Sequence, residues 1–306
     1  MSTTTIKTVA WGGWENCVRL ANQRWELIAT TVVGPRIVYF GSLGGSNELY
    51  EMRADQGRTT SSEWRNYGGH RLWHAPEVHP RTYQPDNDPL EREELPQGVR
   101  LTQPVEPKTG IHKSLELELR EEELVLTHTL TNENLWPVRL APWAITVMAP
   151  GGTAILPQPP LTSADHSNFL PNRTIALWPY TPAGDPRLLW GERFLRVKPD
   201  HGISRPIKVG TAASEGWCGY VNGGRLFLKR LSYQPGAEYP DLGCGVECYT
   251  AGDFLELETL APLVTLSPGE SAAHVERWSL HERCTAETEA ELAEYVAPLV
   301  AGAAAS

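Results

Sequence analysis

Short runs of alternating apolar and polar residues follow one another along most of the chain. The segment S-L-E-L-E-L-R at 114–120 shows the pattern best, because its leucines fall on one face of an extended strand and its charged residues on the other. Glycine, proline, asparagine and aspartate separate the runs, which is typical of antiparallel sheets. Predicted strands lie at 18–20, 25–33, 36–40, 47–52, 99–103, 114–120, 124–131, 144–148, 174–178, 194–198, 225–231, 254–260, 263–266 and 272–280.

A helical pattern occurs only near the carboxyl end, at 285–300. Thr285 and Thr288 are available as caps there, and the early glutamates suit the start of a helix. No repeat of fixed period is present, so the pattern does not indicate a propeller or a solenoid. We predict an all-β protein, a large antiparallel β-sandwich at 1–284 with a short C-terminal helix in a tail at 285–306.

Composition narrows the classes of partner. The 306 residues carry a net charge of −10, from 27 Lys and Arg against 37 Asp and Glu. An acidic chain without a basic stripe is a poor match for nucleic acid or for an anionic membrane surface. Residues 1–20 lack a signal-peptide pattern, and no apolar run approaches the roughly 18 residues of a membrane span. We expect a soluble, cytoplasmic protein whose oligomeric state the sequence does not indicate.

Cofactor and metal signatures are absent from the sequence. The five cysteines are scattered, and Cys244 and Cys248 do not have zinc-ribbon spacing, so we interpret all five as buried thiols. No nucleophile elbow, phosphate-binding loop, dinucleotide fingerprint or EF-hand appears. We therefore expect no cofactor and no metal. Tryptophan (11) outnumbers phenylalanine (5), and a flat apolar ring with one N–H donor suits the faces of sugar rings as well as a protein core.

The segment 66–77, N-Y-G-G-H-R-L-W-H-A-P-E, concentrates polar and aromatic chemistry. As a strand it would project His70 and His74 to one side and Arg71 and Trp73 to the other. The glycine pair would allow another backbone or a ligand to approach closely. A wall of a functional cleft and a satisfied structural turn are equally compatible with the pattern. A third possibility is a metal site formed by His70, His74, Glu77 and His79.

The run F-L-E-L-E-T-L at 254–260 places Glu256 and Glu258 on one strand face, about 7 Å apart. The pattern alone favours a solvated face. If this face lined a cavity instead, repulsion and desolvation would raise the pKa of one carboxyl group into the range of a general base or acid. Glu247 adds a third carboxyl group on the preceding candidate strand.

Other candidates come from isolated polar or aromatic positions. Two lysines are further candidates, Lys208 in P-I-K-V-G and Lys229 in L-F-L-K-R-L. Lys229 interrupts an apolar alternation and is interpreted either as a cleft residue or as a gatekeeper on an edge strand. Asp241 has turn neighbours. Trp143 lies between a proline and a strand, where it can face a ligand or pack in the core, and His128 is in register with core leucines.

The order of several segments resembles the galactose mutarotase-like, aldose 1-epimerase-like β-supersandwich superfamily, and a bacterial branch of it most closely. The resemblance covers roughly residues 20 to 280 and rests on motif order. The segments are G-G-H-R-L-W-H-A-P-E at 68–77, Y-Q-P-D-N-D-P at 83–89, T-G-I-H-K at 109–113, L-T-N at 130–132, A-P-W-A-I-T-V-M-A-P-G-G at 141–152 and L-E-L-E-T-L-A-P-L-V-T-L-S-P-G-E at 255–270.

The resemblance implies two large curved antiparallel sheets with a sugar on a concave face. Aldose 1-epimerases of this fold use a histidine as acid and a late-strand glutamate as base to open and reclose the sugar ring. L-E-T-L at 257–260 is similar to the epimerase Leu-Glu-Thr-Gln, which would make Glu258 the base, and G-G-H-R would make Arg71 a sugar ligand. The chain departs from the family at 141–148, where A-P-W-A-I-T-V-M contains no histidine.

These considerations give one leading hypothesis and two alternatives. The leading hypothesis is a carbohydrate-active, epimerase-like isomerase with Glu258 as base and His70 or His74 as acid. The alternatives are a non-catalytic carbohydrate-binding protein and a lyase or hydrolase acting on a modified sugar. In each case the expected partner is a small sugar or oligosaccharide. The candidate substrate-binding residues are Arg71, Trp73, Glu77, Trp143, Lys208, Lys229, Asp241, Glu247 and Glu256.

Overall fold

Two large antiparallel sheets form the protein in a computed structural model, which describes residues 4–59, 62–163 and 169–301. In spatial order the first sheet contains β1 (Thr5–Trp11), β2 (Trp14–Ala21), β3 (Trp25–Thr30), β4 (Arg36–Ser42), β5 (His70–Ala75), β10 (Val138–Val147), β19 (Phe254–Leu260), β18 (Val246–Ala251), β15 (Ile207–Thr211) and β12 (Ile175–Leu177). A short strand, β20 (Val264–Leu266), also pairs with β10.

The second sheet has the order β13 (Leu188–Trp190), β14 (Phe194–Val197), β11 (Thr153–Pro157), β16 (Trp217–Asn222), β17 (Arg225–Leu231), β21 (Ser271–Glu282), β9 (Leu124–Asn132), β8 (Ile111–Leu119), β7 (Gly98–Thr102) and β6 (Glu91–Leu95). The sheets enclose one large apolar core, which includes Leu115, Leu117 and Leu119 of β8 and Leu255 and Leu257 of β19. The predicted all-β sandwich is confirmed.

Two helical segments complete the structure. A single turn, α1 (Pro240–Gly243), contains Asp241 and Leu242 in the left-handed region. The C-terminal helix α2 (Glu289–Val300) begins at a capping box in which the Thr288 side chain accepts from the Glu291 backbone N–H. Its apolar face packs on the outer side of the second sheet. In the described part of the chain, no helix has the length and apolar character needed to cross a membrane.

One predicted strand is not formed. The segment 47–52 makes only isolated bridges, from Leu49 to Met148 and from Glu51 to Gly68. Its backbone bonds to two different neighbours, since the Tyr50 N–H donates to Val147 and the Tyr50 carbonyl accepts from Gly69. A continuous ladder cannot develop when consecutive residues pair with different segments.

A charged pair lies inside the sandwich, between the sheets. Lys229 of β17 and Glu276 of β21 are fully buried, with Nζ 2.9 Å from Oε1. The Trp278 ring N–H donates to the other Glu276 oxygen at 2.8 Å, and Thr259 donates to Oε1. Burial alone would raise the pKa of Glu276, but the charge of Lys229 holds it well below its usual value.

Three histidines adjoin this pair and bridge the sheets. His128 Nδ1 lies 3.0 Å from the His274 carbonyl, which only accepts, so the proton is on Nδ1. His128 Nε2 therefore accepts from His70 Nε2 at 2.7 Å, and His70 Nδ1 accepts from the Thr146 hydroxyl at 2.8 Å. Burial lowers the pKa of all three imidazoles, that of His274 to about 3, so they are neutral near pH 7.

Removing the buried cation should destabilise the protein strongly. Lys229→Met leaves Glu276 buried without its counter-ion, and we expect the free energy of unfolding to fall by about 3–5 kcal/mol. Urea denaturation followed by circular dichroism measures this loss. The matched control is Arg139→Met, which removes an exposed cation paired with Glu238 and should change the value by less than about 1 kcal/mol. Equal losses in both variants would contradict the role of Lys229.

The buried histidines should also make stability depend on pH. Above about pH 6.5 both folded and unfolded chains hold them neutral. Below that pH the unfolded chain binds protons that the folded chain does not, so stability falls as pH falls. The slope should approach about 1.4 kcal/mol per pH unit for each histidine. Urea denaturation between pH 7.5 and 5.5 measures it. His274→Gln should reduce the slope by one histidine's share, whereas His201→Gln, at an exposed turn, should not.

Candidate functional site

The chain enters β5 through two consecutive glycines, whose backbone conformation and close contacts exclude any other residue. Gly68 and Gly69 have φ of 75° and 65°. A Cβ on Gly69 would lie 2.1 Å from the Ile37 carbonyl oxygen, and one on Gly68 would lie 2.3 Å from the Tyr50 oxygen. The pair therefore allows close backbone approach, as the sequence predicts, and it sets which face of the sheet each side chain of β5 reaches.

Side chains of β5 alternate between two buried environments. Arg71 and Trp73 face the outer side of the first sheet, whereas His70, Leu72 and His74 face the second sheet. Residues that face outward lie side by side on neighbouring strands. Arg71 lies opposite Ile145 of β10, and Ile145 lies opposite Glu258 of β19. The next row places Glu256 of β19, Tyr249 of β18 and Lys208 of β15 side by side.

These outward side chains line a cleft of about 550 Å³ on the first sheet. Its floor comes from β5, β10, β19, β18 and β15, and its rim from the loops that follow β4, β5 and β12. The cleft is lined by Trp64, Asn66, Arg71, Trp73, Glu77, Tyr83, Trp143, Ile145, Tyr180, Pro206, Lys208, Tyr249, Ala251, Phe254, Glu256 and Glu258.

One side of the cleft is organised around Arg71. Its guanidinium pairs with Glu256, with Nη2 2.8 Å from Oε1. It also lies over the rings of Trp73 and Trp64, at 4.6 and 5.7 Å from their centroids. Aromatic faces and a carboxylate together hold the cation in a fixed orientation. On the rim, the Tyr83 hydroxyl donates to Glu77.

The other side is organised around Lys208. Its Nζ lies 2.6 Å from Glu247 Oε2 and 2.9 Å from Glu258 Oε2. The Trp143 ring N–H donates to the same Glu258 oxygen at 2.7 Å, and the Lys208 ammonium lies 4.5 Å from the Trp143 ring centroid. Glu247 and Glu258 are both fully buried. A single cation thus faces two carboxyl groups.

The pKa values of all three groups are raised. Burial raises the pKa of Glu258, and Lys208 opposes the rise only in part. Burial and the charge of Glu258 raise the pKa of Glu247 well above its usual value. Burial alone would lower the pKa of Lys208, but the two carboxylates raise it well above its usual value. Glu258 is therefore a more basic carboxylate than an exposed one, and the solvated face that the pattern alone favours is not what forms.

Several buried polar atoms of the cleft have no hydrogen-bond partner among the described residues. They comprise three N–H donors, at Arg71 Nε, Arg71 Nη1 and Trp64 Nε1, and one acceptor, Glu258 Oε1. Buried polar groups are normally paired, so orphans grouped in one cleft indicate a site for a polar ligand or ordered water. Donors and an acceptor occur together, which suits a ligand whose groups both accept and donate.

Five aromatic residues of the lining were not among the sequence-based candidates: Trp64, Tyr83, Tyr180, Tyr249 and Phe254. Tyr180 is 40% exposed, and it is the most accessible of these five rings because the other four are only partly exposed. Trp64, Tyr83 and Tyr180 belong to loops and Phe254 begins β19, and no alternating pattern identifies a face at such positions. In the sequence, only the local density of aromatic residues could have indicated that they belong to the site. Trp73 and Trp143 line the cleft, but they are 5% and 3% exposed, so they support the floor more than they offer stacking surface.

The two histidines assigned as acids lie away from the cleft. His70 faces the second sheet, where His128 and Thr146 engage both ring nitrogens. His74 faces the same way, with Nε2 3.6 Å from Glu106. The cause is the regular alternation of β5, which sends them to the face opposite Arg71. No histidine occurs among the described residues that line the cleft.

Three candidate substrate-binding residues are also outside the lining. Lys229 is between the sheets on a central strand, so it is neither a cleft residue nor an edge gatekeeper. Asp241 is in the α1 turn, where its carbonyl accepts from the Cys244 thiol. Glu247 lies behind Lys208 and reaches the cleft only through that ammonium. The remaining candidates, Arg71, Trp73, Glu77, Trp143, Lys208, Glu256 and Glu258, converge on the cleft.

The structure does not bring the sequence-based metal set together. His70 and His74 face inward, Glu77 is on the rim and His79 packs against the Tyr83 ring. A different group, His70, His128 and Glu276, has ligand atoms within 4.8 Å of one another. Those atoms are engaged by each other, by Lys229 and by Trp278. Hydrogen bonds and one ion pair therefore account for the cluster.

The three-group cluster around Lys208 predicts an unusual pH response. Lys208→Met leaves Glu247 and Glu258 buried together without a cation, and we expect a loss of about 3–5 kcal/mol in unfolding free energy at pH 8. The loss should shrink toward pH 5.5, because the carboxyl groups then become protonated in the folded state. Urea denaturation of parent and variant at both pH values tests this. Adding Glu247→Gln should recover part of the loss, and a loss independent of pH would refute the coupling.

Comparisons with solved structures show the same architecture. A galactose mutarotase-like protein from Lactobacillus casei aligns over 87% of this chain and 100% of its own, with a TM-score of 0.57 and 10% identity. A candidate aldose 1-epimerase from Klebsiella pneumoniae aligns over 97% and 86%, with a TM-score of 0.59 and 12% identity. One from Escherichia coli K12 aligns over 91% and 99%, with a TM-score of 0.54 and 14% identity.

No model of a known protein family matches the sequence, and no curated protein does. Similarity at 10–14% identity, sustained over nearly the whole of both chains, is evidence about architecture. The chain therefore has the galactose mutarotase-like fold.

Proposed function

We propose that the cleft binds a small sugar and catalyses exchange of its anomers, as an aldose 1-epimerase does. The observation that carries the proposal is the grouping of orphan donors on Arg71 and Trp64 with the orphan acceptor on Glu258 in one aromatic-lined cleft. Sugar hydroxyls donate and accept at the same atom, and the C–H faces of the ring are apolar. A sugar would therefore pair with the unpartnered polar atoms of the cleft and also cover its aromatic rings.

In the proposed reaction, Glu258 is the base. Its Oε1 has no hydrogen-bond partner among the described residues, while Lys208 and Trp143 fix Oε2. The free oxygen takes the proton of the anomeric hydroxyl as the bond between the anomeric carbon and the ring oxygen breaks. The raised pKa of Glu258 suits this step, because a base is most effective when its pKa approaches the working pH.

The ring oxygen must receive a proton as the ring opens, and the acid cannot be His70 or His74 in this arrangement. Tyr180 is the group we assign. Burial raises its pKa to about 12, so the phenol keeps its proton at neutral pH, and the fields of Lys208 and Glu258 both reach it. A phenol is a stronger acid than a sugar alcohol and can donate to the departing oxygen. Reclosure on the other face of the carbonyl returns both protons.

A second candidate function, sugar binding without turnover, is favoured by one specific observation. The Glu258 carboxylate is already bound by Lys208 and Trp143, which is also how a purely structural carboxylate is held. Binding would then use the same cleft, with Tyr180 and Tyr249 as the ring contacts. The two functions differ in whether a bound sugar changes anomer.

The test is mutarotation of a panel of aldoses, followed by polarimetry or NMR. We expect the protein to accelerate at least one aldose, and Glu258→Gln to lower kcat/KM by about 10²- to 10⁴-fold, the usual loss for a general base. Tyr180→Phe should lower kcat more than it raises KM, because it removes a proton donor while keeping the ring.

The matched control is Glu116→Gln, the same substitution on the second sheet, where Glu116 pairs with Arg100. It should leave the rate unchanged. Sugar binding by calorimetry with no acceleration of any aldose would select the non-catalytic alternative. A folded Glu258→Gln variant with the parent rate would refute the assignment of the base.

A further inference from the structure

A second, smaller pocket of about 230 Å³ opens at the end of the sandwich, on the opposite side of β5 from the cleft. We call it the end pocket. It lies between the turn that follows β5, the turn that precedes β8 and the connection from β9 to β10. It is lined by His74, Arg81, Lys108, Thr109, Ile111, Asn134, Trp136, Val138 and Leu140.

Two buried nitrogens in this pocket have no hydrogen-bond partner among the residues that the structure describes. They are His74 Nε2 and Arg81 Nε. His74 is 1% exposed, and the Glu106 oxygen 3.6 Å from its Nε2 is beyond hydrogen-bonding distance. Arg81 is anchored from its other end, since its Nη2 donates to the Pro76 carbonyl at 2.6 Å. Arg81 Nε carries a hydrogen, and His74 Nε2 carries one in the tautomer that turns an N–H toward the Glu106 carboxylate, so in this tautomer both atoms call for an acceptor.

The charges around the end pocket are positive in sum. Arg81 and Lys108 are cations, and Glu106 at the back is neutralised by Lys113, whose Nζ lies 2.5 Å from Oε1. Burial lowers the pKa of His74, so this imidazole is neutral at pH 7 and contributes one N–H rather than a charge. In a chain of net charge −10, such a local excess of positive charge marks a place where an anion is attracted.

The rest of the wall is apolar and limits the size of the ligand. Ile111, Trp136, Val138 and Leu140 supply hydrocarbon and ring surface. The volume is below the roughly 300–1,000 Å³ of pockets for drug-sized molecules, so only a small ligand fits. A fully hydrated inorganic ion would leave this surface unused.

We propose that the end pocket binds a small organic carboxylate, with its charge at Arg81 and His74 and its apolar body against Trp136 and Leu140. The site is separate from the cleft, because His74 and Trp73 are consecutive residues of β5 that face opposite sides of the sheet. In the turn that follows β5, Arg81 likewise lines the end pocket, whereas Tyr83 lines the cleft. The proposal does not depend on the function assigned to the cleft.

The experiment compares benzoate with benzamide, its neutral counterpart of nearly equal shape, by isothermal titration calorimetry on the full chain. We expect benzoate to bind at one site and benzamide to bind at least about tenfold more weakly. Arg81→Gln should weaken benzoate about tenfold or more. Lys108→Gln should weaken it about threefold, because its exposed charge is screened by water. Arg139→Gln, an exposed cation on β10, is the control and should bind as the parent does.

Three outcomes would overturn the proposal. Equal binding of benzamide would show that charge plays no part. Binding of inorganic phosphate but not of benzoate would show that the apolar wall of the pocket makes no contribution to binding. Parent-like affinity in Lys108→Gln and Arg81→Gln would place the ligand elsewhere. If Arg81→Gln does not fold, Lys108→Gln decides, because that side chain is exposed. Unchanged benzoate binding in Tyr180→Phe would support separation from the cleft.

Discussion

The alternation of side chains across the first sheet is the constraint on which the rest of this protein depends. Both faces of its central strands are covered, the inner one by the second sheet and the outer one by the loops around the cleft. The ionisable residues of β5 and β15 are therefore buried whichever way they point, and so is Glu258 of β19, whereas the Glu256 side chain is 12% exposed in the cleft. A strand such as β5, with every residue buried, must find partners for its charges on two sides at once.

The two buried lysines show how differently this requirement can be met. Lys229 faces one carboxylate, that of Glu276, and both of its oxygens accept hydrogen bonds. The Lys229–Glu276 pair therefore has no net charge and no unpaired oxygen. Lys208 faces two carboxyl groups and cannot neutralise both, so their pKa values rise and one oxygen of Glu258 stays without a partner. The same residue types on the two sheets thus produce a fully paired link in one case and a group with an unpaired carboxyl oxygen in the other.

Much of the architecture was predictable from the sequence because alternation appears wherever one strand face is wet. The predicted runs at 114–120 and 124–131 overlap β8 and β9, each of which has one partly exposed face, and the all-β class follows from such runs. Strands buried on both faces lack the pattern, so β15 and β16 were not predicted. The convergence of Arg71, Lys208 and Glu258 rests on the strand order, in which β5, β10, β19, β18 and β15 are neighbours although far apart in sequence.

What the sequence could not predict was which face of each strand meets the cleft. His70, His74 and Lys229 looked like site residues because they are ionisable, but the polar groups that they approach, on Thr146, Glu106 and Glu276, are 32 to 76 residues away and are visible only in three dimensions. Fold similarity does not supply that information either, since a fold carries many functions and the chemistry belongs to particular side chains. In the segment where epimerases of this fold carry a catalytic histidine, this chain has Trp143, whose ring N–H holds Glu258. In the reaction we propose, that position would orient the base rather than donate a proton, and the proton would have to come from a different acid.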